Sequence, residues 1–296
     1  MLRGAYDEKR IDGRTARVPV SRSLTTTRRD VKGDTPSHAR EIIWLVAWCR
    51  SVLLNTPSMK TFRPCLAEFL GTFYLCFAWI GAILCNTSTI GGAPGLVGIA
   101  LAHGLALSIA VNVFGGESGA HLNPALTAGF LVTGRIAPGL AGAYVVAQLL
   151  GATTAAGFCR VIFPPEAVMA ANLGIPLPAA WASTGTVLLA EFLMTFLLMT
   201  SVFGTAVDER GRLVKIGGFG IGLTVAFNIL AFGPVTGASM NPARSFGPAL
   251  EMMHWDFHWM YWVAPIAGAC AAALIYENVL LKPMQAKVDE PRAMKR

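Results

Sequence analysis

The stretch Ser118-Gly119-Ala120-His121-Leu122-Asn123-Pro124-Ala125 is matched later in the chain by Thr236-Gly237-Ala238-Ser239-Met240-Asn241-Pro242-Ala243. Asn-Pro favours a helix start, because Asn caps the first free N–H groups and proline suits the first helical position. Such a start presents free N–H groups and a positive dipole end to whatever precedes it. Two of these starts in an apolar chain predict two half-helices that point at one place, as in a pore.

The composition around these segments is that of a membrane protein. The 296 residues are 54% hydrophobic and 14% charged, whereas soluble domains carry roughly 25% charged residues. A bundle of membrane-spanning helices can use that much apolar sequence, but a soluble core cannot. The net charge of +7 lies mainly in the two tails. We interpret it as contact with the lipid bilayer and not with nucleic acid.

Six long apolar stretches are each near the ~20 residues that cross a bilayer. Two shorter segments, about 123–133 and 241–251, begin at Asn-Pro-Ala and have the length of half a crossing. Short segments in matching places of two halves are typical of an inverted repeat. We therefore predict an all-α membrane protein with six transmembrane helices and two half-helices. The six long stretches are about 64–86, 96–114, 137–161, 183–206, 216–233 and 257–281.

The repeat also sets the expected domain organisation. Ala-Glu-Phe-Leu occurs at Ala67–Leu70 and again at Ala190–Leu193, at the start of each half. Three spans in the first half turn the second half upside down, so the two half-helices are expected to meet N-terminus to N-terminus. We predict one domain over residues 59–283, with repeat halves at about 62–161 and 183–282. Residues 284–296 are then a cytoplasmic C-terminal tail.

The N-terminal region 1–58 differs from the rest of the chain. It is basic and rich in Arg and Thr, so we expect a disordered extension, with the apolar patch Ile42–Trp48 on the membrane surface. Met59 directly precedes the first span, and we expect that translation can start there and that 1–58 is dispensable. Loss of membrane insertion on expressing residues 59–296 alone would contradict this expectation.

The loops predict the orientation of the chain. The segment 206–215 holds three Lys or Arg residues, whereas 87–95 and 162–182 hold none. Positive residues favour the cytoplasmic side, so both termini are expected in the cytoplasm. We expect an integral multi-pass protein of a cell (inner or plasma) membrane. The six cysteines form no CxxC pair, and we expect no metal site and no cofactor.

The paired segments and the run Asn241-Pro242-Ala243-Arg244-Ser245-Phe246-Gly247-Pro248 closely resemble the aquaporins, or major intrinsic proteins, over about residues 62–282. The resemblance implies a passive water channel that excludes protons and ions, and not an enzyme. Asn123 and Asn241 would meet at the midplane and donate from free amide groups to a passing water. Prolines fix the two helix starts and alanines pack the two ends together. These residues are Pro124, Pro242, Ala125 and Ala243.

The resemblance also implies a selectivity filter formed by His103, Ile229, Ala238 and Arg244. An arginine inside the membrane is costly, which favours a functional role for Arg244. This set resembles the tonoplast-type branch, several members of which also pass ammonia and hydrogen peroxide. The aliphatic Ile229 and the small Ala238 predict a somewhat wider, still polar constriction. The family further implies a homotetramer in which each monomer has its own pore.

Three other residues are assigned structural support by the same resemblance. Glu68 and Glu191 would accept hydrogen bonds from the half-helix loops, and His121 would brace its loop. Two alternatives stay open. A glycerol or small-polyol facilitator is disfavoured by Ser245, by Ala249 and by Tyr261-Trp262. A poorly conducting structural membrane protein is disfavoured by the intact pore asparagines and Arg244.

Overall fold

The structure, a computed structural model, describes residues 6–11, 14–19, 57–87, 90, 94–212 and 216–281. Within these residues, six helices are long and apolar enough to cross a membrane, which confirms the six predicted spans. The helices are α1 (Pro57–Cys85), α2 (Gly95–Ser118), α3 (Pro124–Val132), α4 (Pro138–Ile162), α5 (Pro165–Ala170), α6 (Thr184–Val202), α7 (Glu209–Arg212), α8 (Gly217–Thr236), α9 (Pro242–Met252) and α10 (Met260–Ile275). Short π-helical segments, Phe203–Val207 and Tyr276–Leu281, continue α6 and α10, and a 3₁₀ turn covers Asn172–Gly174.

The N-terminal region contains two strands that the sequence analysis missed. β1 (Tyr6–Ile11) and β2 (Arg14–Pro19) pair antiparallel, with Ile11 opposite Arg14. The expectation of disorder is wrong for these residues, because Asp12-Gly13 between them is a strong two-residue hairpin signal. The hairpin belongs to a unit separate from the helices. The patch Ile42–Trp48 lies outside the described residues.

The first two spans are longer than their apolar stretches predicted. α1 starts at Pro57 and α2 continues to Ser118. At the end of the pair, Arg63 of α1 donates to Glu117 of α2 at 2.8 Å. Charged residues at helix ends pair outside the apolar segment, so hydropathy alone places these boundaries too far inward.

The two halves of the membrane bundle interlock. In each half, the first span packs against the third, α1 on α4 and α6 on α10. The half-helices pack across the halves, since α3 lies against α10 and α9 against α4. The spans α2 and α8 contact each other at the centre. Neither half is therefore complete without the other.

Glycines allow the spans to approach closely at equivalent points of the two halves. A Cβ on Gly151 of α4 would overlap the carbonyl oxygen of Phe69 in α1. A Cβ on Gly268 of α10 would overlap the carbonyl oxygen of Phe192 in α6 in the same way. Small residues at such crossings let helix backbones pack within a membrane, where no hydrophobic effect drives them together.

Candidate functional site

Each half-helix begins at an asparagine whose side chain caps the first N–H groups. Asn123 Oδ1 accepts from the N–H of Ala125 at 2.8 Å, and proline occupies the first helical position. Asn241 Oδ1 accepts from the N–H groups of Ala243 at 3.0 Å and Arg244 at 3.4 Å. The local signal of Asn followed by Pro thus fixes where α3 and α9 start.

The two helix starts face each other and are tied together by the same asparagines. Asn123 Nδ2 donates to the carbonyl of Met240 at 2.8 Å. Asn241 Nδ2 donates to the carbonyl of Leu122 at 2.9 Å. The prediction that both amide groups are free to donate to water is therefore wrong for one of the two hydrogens on each Nδ2. Because an NH₂ group has two hydrogens, the second hydrogen of each amide is left to donate.

The loops before the half-helices have a strained backbone. Ala120 and Leu122 have φ of 47° and 51°, and Ala238 and Met240 have φ of 44° and 54°. Residues other than glycine rarely adopt such angles, at a cost of about 1–3 kcal/mol each. Surrounding contacts must therefore hold the two loops in shape.

Glu68 in α1 holds the first loop. Its carboxylate accepts from the backbone N–H groups of His121 at 2.9 Å and Leu122 at 2.6 Å. It also accepts from the hydroxyl of Ser118 at 2.6 Å and from Nε2 of Gln148 at 2.8 Å. The fully buried carboxylate thus binds two consecutive N–H groups of the strained segment.

Glu191 in α6 makes the equivalent contacts in the second loop. It accepts from the N–H groups of Ser239 at 2.9 Å and Met240 at 2.8 Å. It also accepts from the hydroxyl of Thr236 at 2.7 Å. The two glutamates are therefore related by the repeat in their bonds as well as in their sequence.

One tyrosine completes each loop, and the sequence analysis assigned this role to neither. Tyr144 in α4 donates to the carbonyl of Ser118 at 2.9 Å. Tyr261 in α10 donates to the carbonyl of Thr236 at 2.8 Å. Each tyrosine lies about the same distance along the chain from its own loop, so the repeat offset was a signal that could have paired them.

His121 packs against its own half-helix. Its Nδ1 lies 3.2 Å from the hydroxyl of Thr127, and its ring stacks on Phe130 with the centroids 4.3 Å apart. It also lines two cavities of the helical bundle. The position therefore allows both the bracing expected from the sequence and contact with a permeating molecule.

Three cavities form a row through the helical bundle. The central cavity, about 30 Å³, is lined by both pore asparagines. It shares His103 with a cavity of about 170 Å³, here called the Arg244 vestibule, which Arg244 also lines. It shares His121 with a cavity of about 570 Å³, the Arg135 vestibule. The smallest of these three cavities thus lies between the two larger ones.

The four residues predicted to form the filter line the central cavity and the Arg244 vestibule. His103, Ile229 and Arg244 line the vestibule, and Ala238 lines the central cavity together with His103. All four side chains are buried. The sequence positions of the predicted filter are therefore brought together in space.

Arg244 and His103 provide the polar groups of this constriction. Arg244 Nη2 donates to the carbonyl of Gly237 at 3.0 Å, whereas its Nε and Nη1 have no hydrogen-bond partner among the described residues. His103 Nδ1 lies 2.6 Å from the carbonyl of Ile99. Because a carbonyl only accepts, Nδ1 carries the hydrogen, and Nε2 of the neutral ring is an acceptor. The site thus offers donors from Arg244 and an acceptor from His103.

Six spans, two opposed half-helices and a row of cavities between them define a multi-pass membrane channel built as an inverted repeat. The family model described as Major intrinsic protein matches residues 55–276. The chain belongs to this family, whose members are channels, and it is a channel and not an enzyme.

Plant relatives and one solved structure agree with this assignment. Aquaporin TIP4-4 of Zea mays is 40% identical over 225 residues, which cover 74% of this chain and 87% of the relative. Aquaporin TIP2-1 of Arabidopsis thaliana is 40% identical over 231 residues, covering 76% and 90%. The X-ray structure of the aquaglyceroporin from Plasmodium falciparum matches with a TM-score of 0.68 at 25% identity, covering 76% of this chain and 99% of that one.

The chain is an integral membrane protein, because six membrane-capable helices occur in a chain of this family. The expected plasma-membrane location gains no support from the relatives, whose names place them in the TIP group.

Proposed function

We propose that the chain is a passive channel that conducts water, together with ammonia or hydrogen peroxide, and excludes protons and ions. The observation that carries the proposal is the pair of opposed helix starts, with Asn123 and Asn241 both lining the central cavity. A space of about 30 Å³ holds one or two water molecules at a time. Each passing water would meet both asparagine amides.

Proton exclusion follows from the donors at this point. The remaining amide hydrogens of Asn123 and Asn241 would donate to the oxygen of the passing water, which turns its own hydrogens away from the centre. That orientation interrupts a continuous chain of waters through which protons could hop. The positive ends of α3 and α9 both face the cavity and raise the energy of a cation there.

The proposed filter selects by size and by hydrogen bonding. Water can accept from the free N–H groups of Arg244 and donate to Nε2 of His103. Ammonia and hydrogen peroxide combine a donor and an acceptor in the same way. Ile229 supplies an aliphatic wall, which is the feature of this filter that favours ammonia beside water.

A glycerol or small-polyol facilitator is the second candidate, since one similar solved structure is that of an aquaglyceroporin. Two observations weigh against it. A central cavity of about 30 Å³ favours a molecule the size of water over a three-carbon polyol. Ser245, Ala249 and the pair Tyr261-Trp262 also occupy positions at which glycerol channels of the family tend to carry other residues.

We further propose a homotetramer in the lipid bilayer, with one pore in each chain and both termini in the cytoplasm. The channel domain covers residues 59–283, and 284–296 form its cytoplasmic tail. Chemical crosslinking in membranes tests the assembly, with a ladder that stops at four chains expected. A ladder that stops at two would contradict it.

Stopped-flow light scattering on vesicles that contain the full chain tests the solute range. Water and ammonia are expected to enter or leave much faster than in protein-free vesicles, whereas glycerol and urea stay at the protein-free rate. Glycerol flux comparable with water flux would favour the facilitator. No flux of any solute would favour a structural protein.

A further inference from the structure

One face of α1 runs along the row of cavities. Leu75 and Trp79 line the central cavity, and Ile83 lines the Arg244 vestibule. These residues are four apart, so they lie on the same side of the helix. Trp79, in the middle, is 3% exposed and stands at the level where the two cavities meet.

The indole of Trp79 contacts both polar residues of the proposed filter. Its ring centroid lies 4.2 Å from that of the His103 imidazole. The guanidinium of Arg244 lies over the face of the same indole. A cation above an indole face is attracted by the ring electrons, most strongly where water is scarce. Trp79 therefore touches the acceptor and the donor of the constriction at once.

The indole N–H of Trp79 takes part in no hydrogen bond that stabilises the described fold. Trp79 Nε1 is buried and has no hydrogen-bond partner among the described residues. A buried indole N–H usually finds a partner, because leaving it unpaired costs free energy. Tryptophan in a membrane span is also enriched at the interfaces and not in mid-span. A wall that needed only apolar volume would be built from Leu or Phe without this cost.

We propose that Trp79 is a fifth filter residue, whose ring closes the constriction on the α1 side and whose indole N–H donates to the permeating molecule. This inference rests on the proposed water channel and deepens it. The donor joins those of Arg244, opposite the Nε2 acceptor of His103. The flat ring limits the passage to molecules near the size of water.

The two parts of the role predict opposite effects of Trp79→Phe. Phenylalanine is smaller than tryptophan, so a role as a wall alone predicts faster water flux. Loss of a donor that replaces part of the hydration of the passing water predicts slower flux. One net hydrogen bond corresponds to a fall of about threefold to tenfold, so the sign of the change separates the two.

The test compares wild type, Trp79→Phe, Trp79→Ala and Phe77→Ala in vesicles with matched amounts of folded protein. Phe77 lies two residues away on the same helix and is 38% exposed, so it controls for loss of a large side chain. Stopped-flow rates are measured for water, urea and glycerol. We expect Trp79→Phe to slow water, Trp79→Ala to admit urea and glycerol, and Phe77→Ala to match wild type. If Trp79→Ala does not fold, Trp79→Leu replaces it in the test, and we expect it to admit urea and glycerol at a smaller rate.

Each contrary outcome would overturn one of the two roles proposed for Trp79. Faster or unchanged water flux in Trp79→Phe removes the donor role. If urea and glycerol cross Trp79→Ala no faster than they cross Phe77→Ala, the ring of Trp79 does not close the constriction. In both cases wild type conducts water, so the proposed function stands. Wild type and all variants at the protein-free rate would contradict the proposed function, and the inference would fall with it.

Discussion

At the scale of single residues, buried carboxylates maintain the shape of the pore. Glu68 and Glu191 each bind two consecutive backbone N–H groups in a loop with positive φ angles. The carbonyl of Gly237 in the second loop accepts from Arg244 Nη2, so the shape of this loop also positions the arginine of the proposed filter. The cost of the strained backbone is therefore offset where the filter and the helix starts need it.

Glu191→Ala tests this support. Removing the carboxylate leaves the N–H groups of Ser239 and Met240 and the hydroxyl of Thr236 unpaired in a buried site, and each unpaired group costs about 1–3 kcal/mol. We expect the unfolding free energy in detergent to fall by roughly 3 kcal/mol or more, the lower bound for three such groups. Thermal unfolding followed by circular dichroism measures the change. The control is Glu166→Ala, because Glu166 is exposed in α5 and its replacement should leave the unfolding free energy nearly unchanged. Equal losses of unfolding free energy in the two variants would refute the supporting role of Glu191.

Ile229→His tests the filter. A second imidazole narrows the constriction and replaces the aliphatic wall with a polar one. We expect water flux to be retained and ammonia flux to fall roughly tenfold, since such a pocket change is worth about 1–3 kcal/mol. Stopped-flow rates for both solutes measure it, with Ile229→Val as the conservative control. Unchanged ammonia flux together with retained water flux would show that Ile229 does not select.

At the scale of helices, the interlocking of the halves positions the site. Each half-helix packs on the third span of the other half, α3 on α10 and α9 on α4. A shift between the halves would therefore separate Asn123 from the Met240 carbonyl and Asn241 from that of Leu122. The glycine crossings keep the spans close enough for these bonds to form.

Gly151→Ala and Gly268→Ala are expected to destabilise the protein by about 1–3 kcal/mol, because an added methyl group overpacks a closed interface. Gly142 provides a matched control within α4, since a Cβ there meets nothing within 4 Å. Gly142→Ala should be neutral or stabilise by roughly 0.5–1 kcal/mol. Unfolding midpoints in detergent measure all three. Similar effects at Gly142 and Gly151 would mean that helix propensity, and not close approach, governs these positions.

At the scale of the whole molecule, ion pairs close the bundle at the end that carries the Arg135 vestibule. Arg135 donates to Glu277 at 2.8 Å, joining the link after α3 to the end of α10. Asp208, after α6, accepts from Arg210 and from the hydroxyl of Tyr276 at 3.2 Å. The network therefore joins the link after α3 and the end of α6 to the end of α10.

This network predicts a pH dependence of stability. The side chain of Arg210 lowers the pKa of Asp208 from its usual value to about 2. A lowered pKa means that the ionised carboxylate stabilises the fold above about pH 4. The contribution is lost as the pH falls towards 2. Asp208→Asn should therefore lower the unfolding temperature by a few degrees at pH 7, with a difference that shrinks towards pH 3.

The control for this prediction is Glu209→Gln, next to Asp208 but exposed. Its unfolding temperature should follow that of wild type at every pH. A difference between Asp208→Asn and wild type that stays constant from pH 7 to pH 3 would contradict the linkage.

The sequence predicted most of the fold, because its signals are local. Hydropathy located the six spans, and Asn-Pro located the starts of α3 and α9. Contacts between distant helices were not predictable in the same way. Trp79 reads as one apolar residue among many until the face of α1 that lines the cavities is known. Tyr144 and Tyr261 likewise gain meaning only once each hydroxyl is found on its loop carbonyl.

We propose that the opposed half-helices form a path for water that protons cannot follow. Osmotic shrinkage and proton leak should be measured on the same vesicles, the first by light scattering and the second with an enclosed pH-sensitive dye. We predict that water flux rises in proportion to the amount of protein while the proton leak stays at the protein-free rate. A proton leak that rises with the protein, or water flux that does not, would contradict the account.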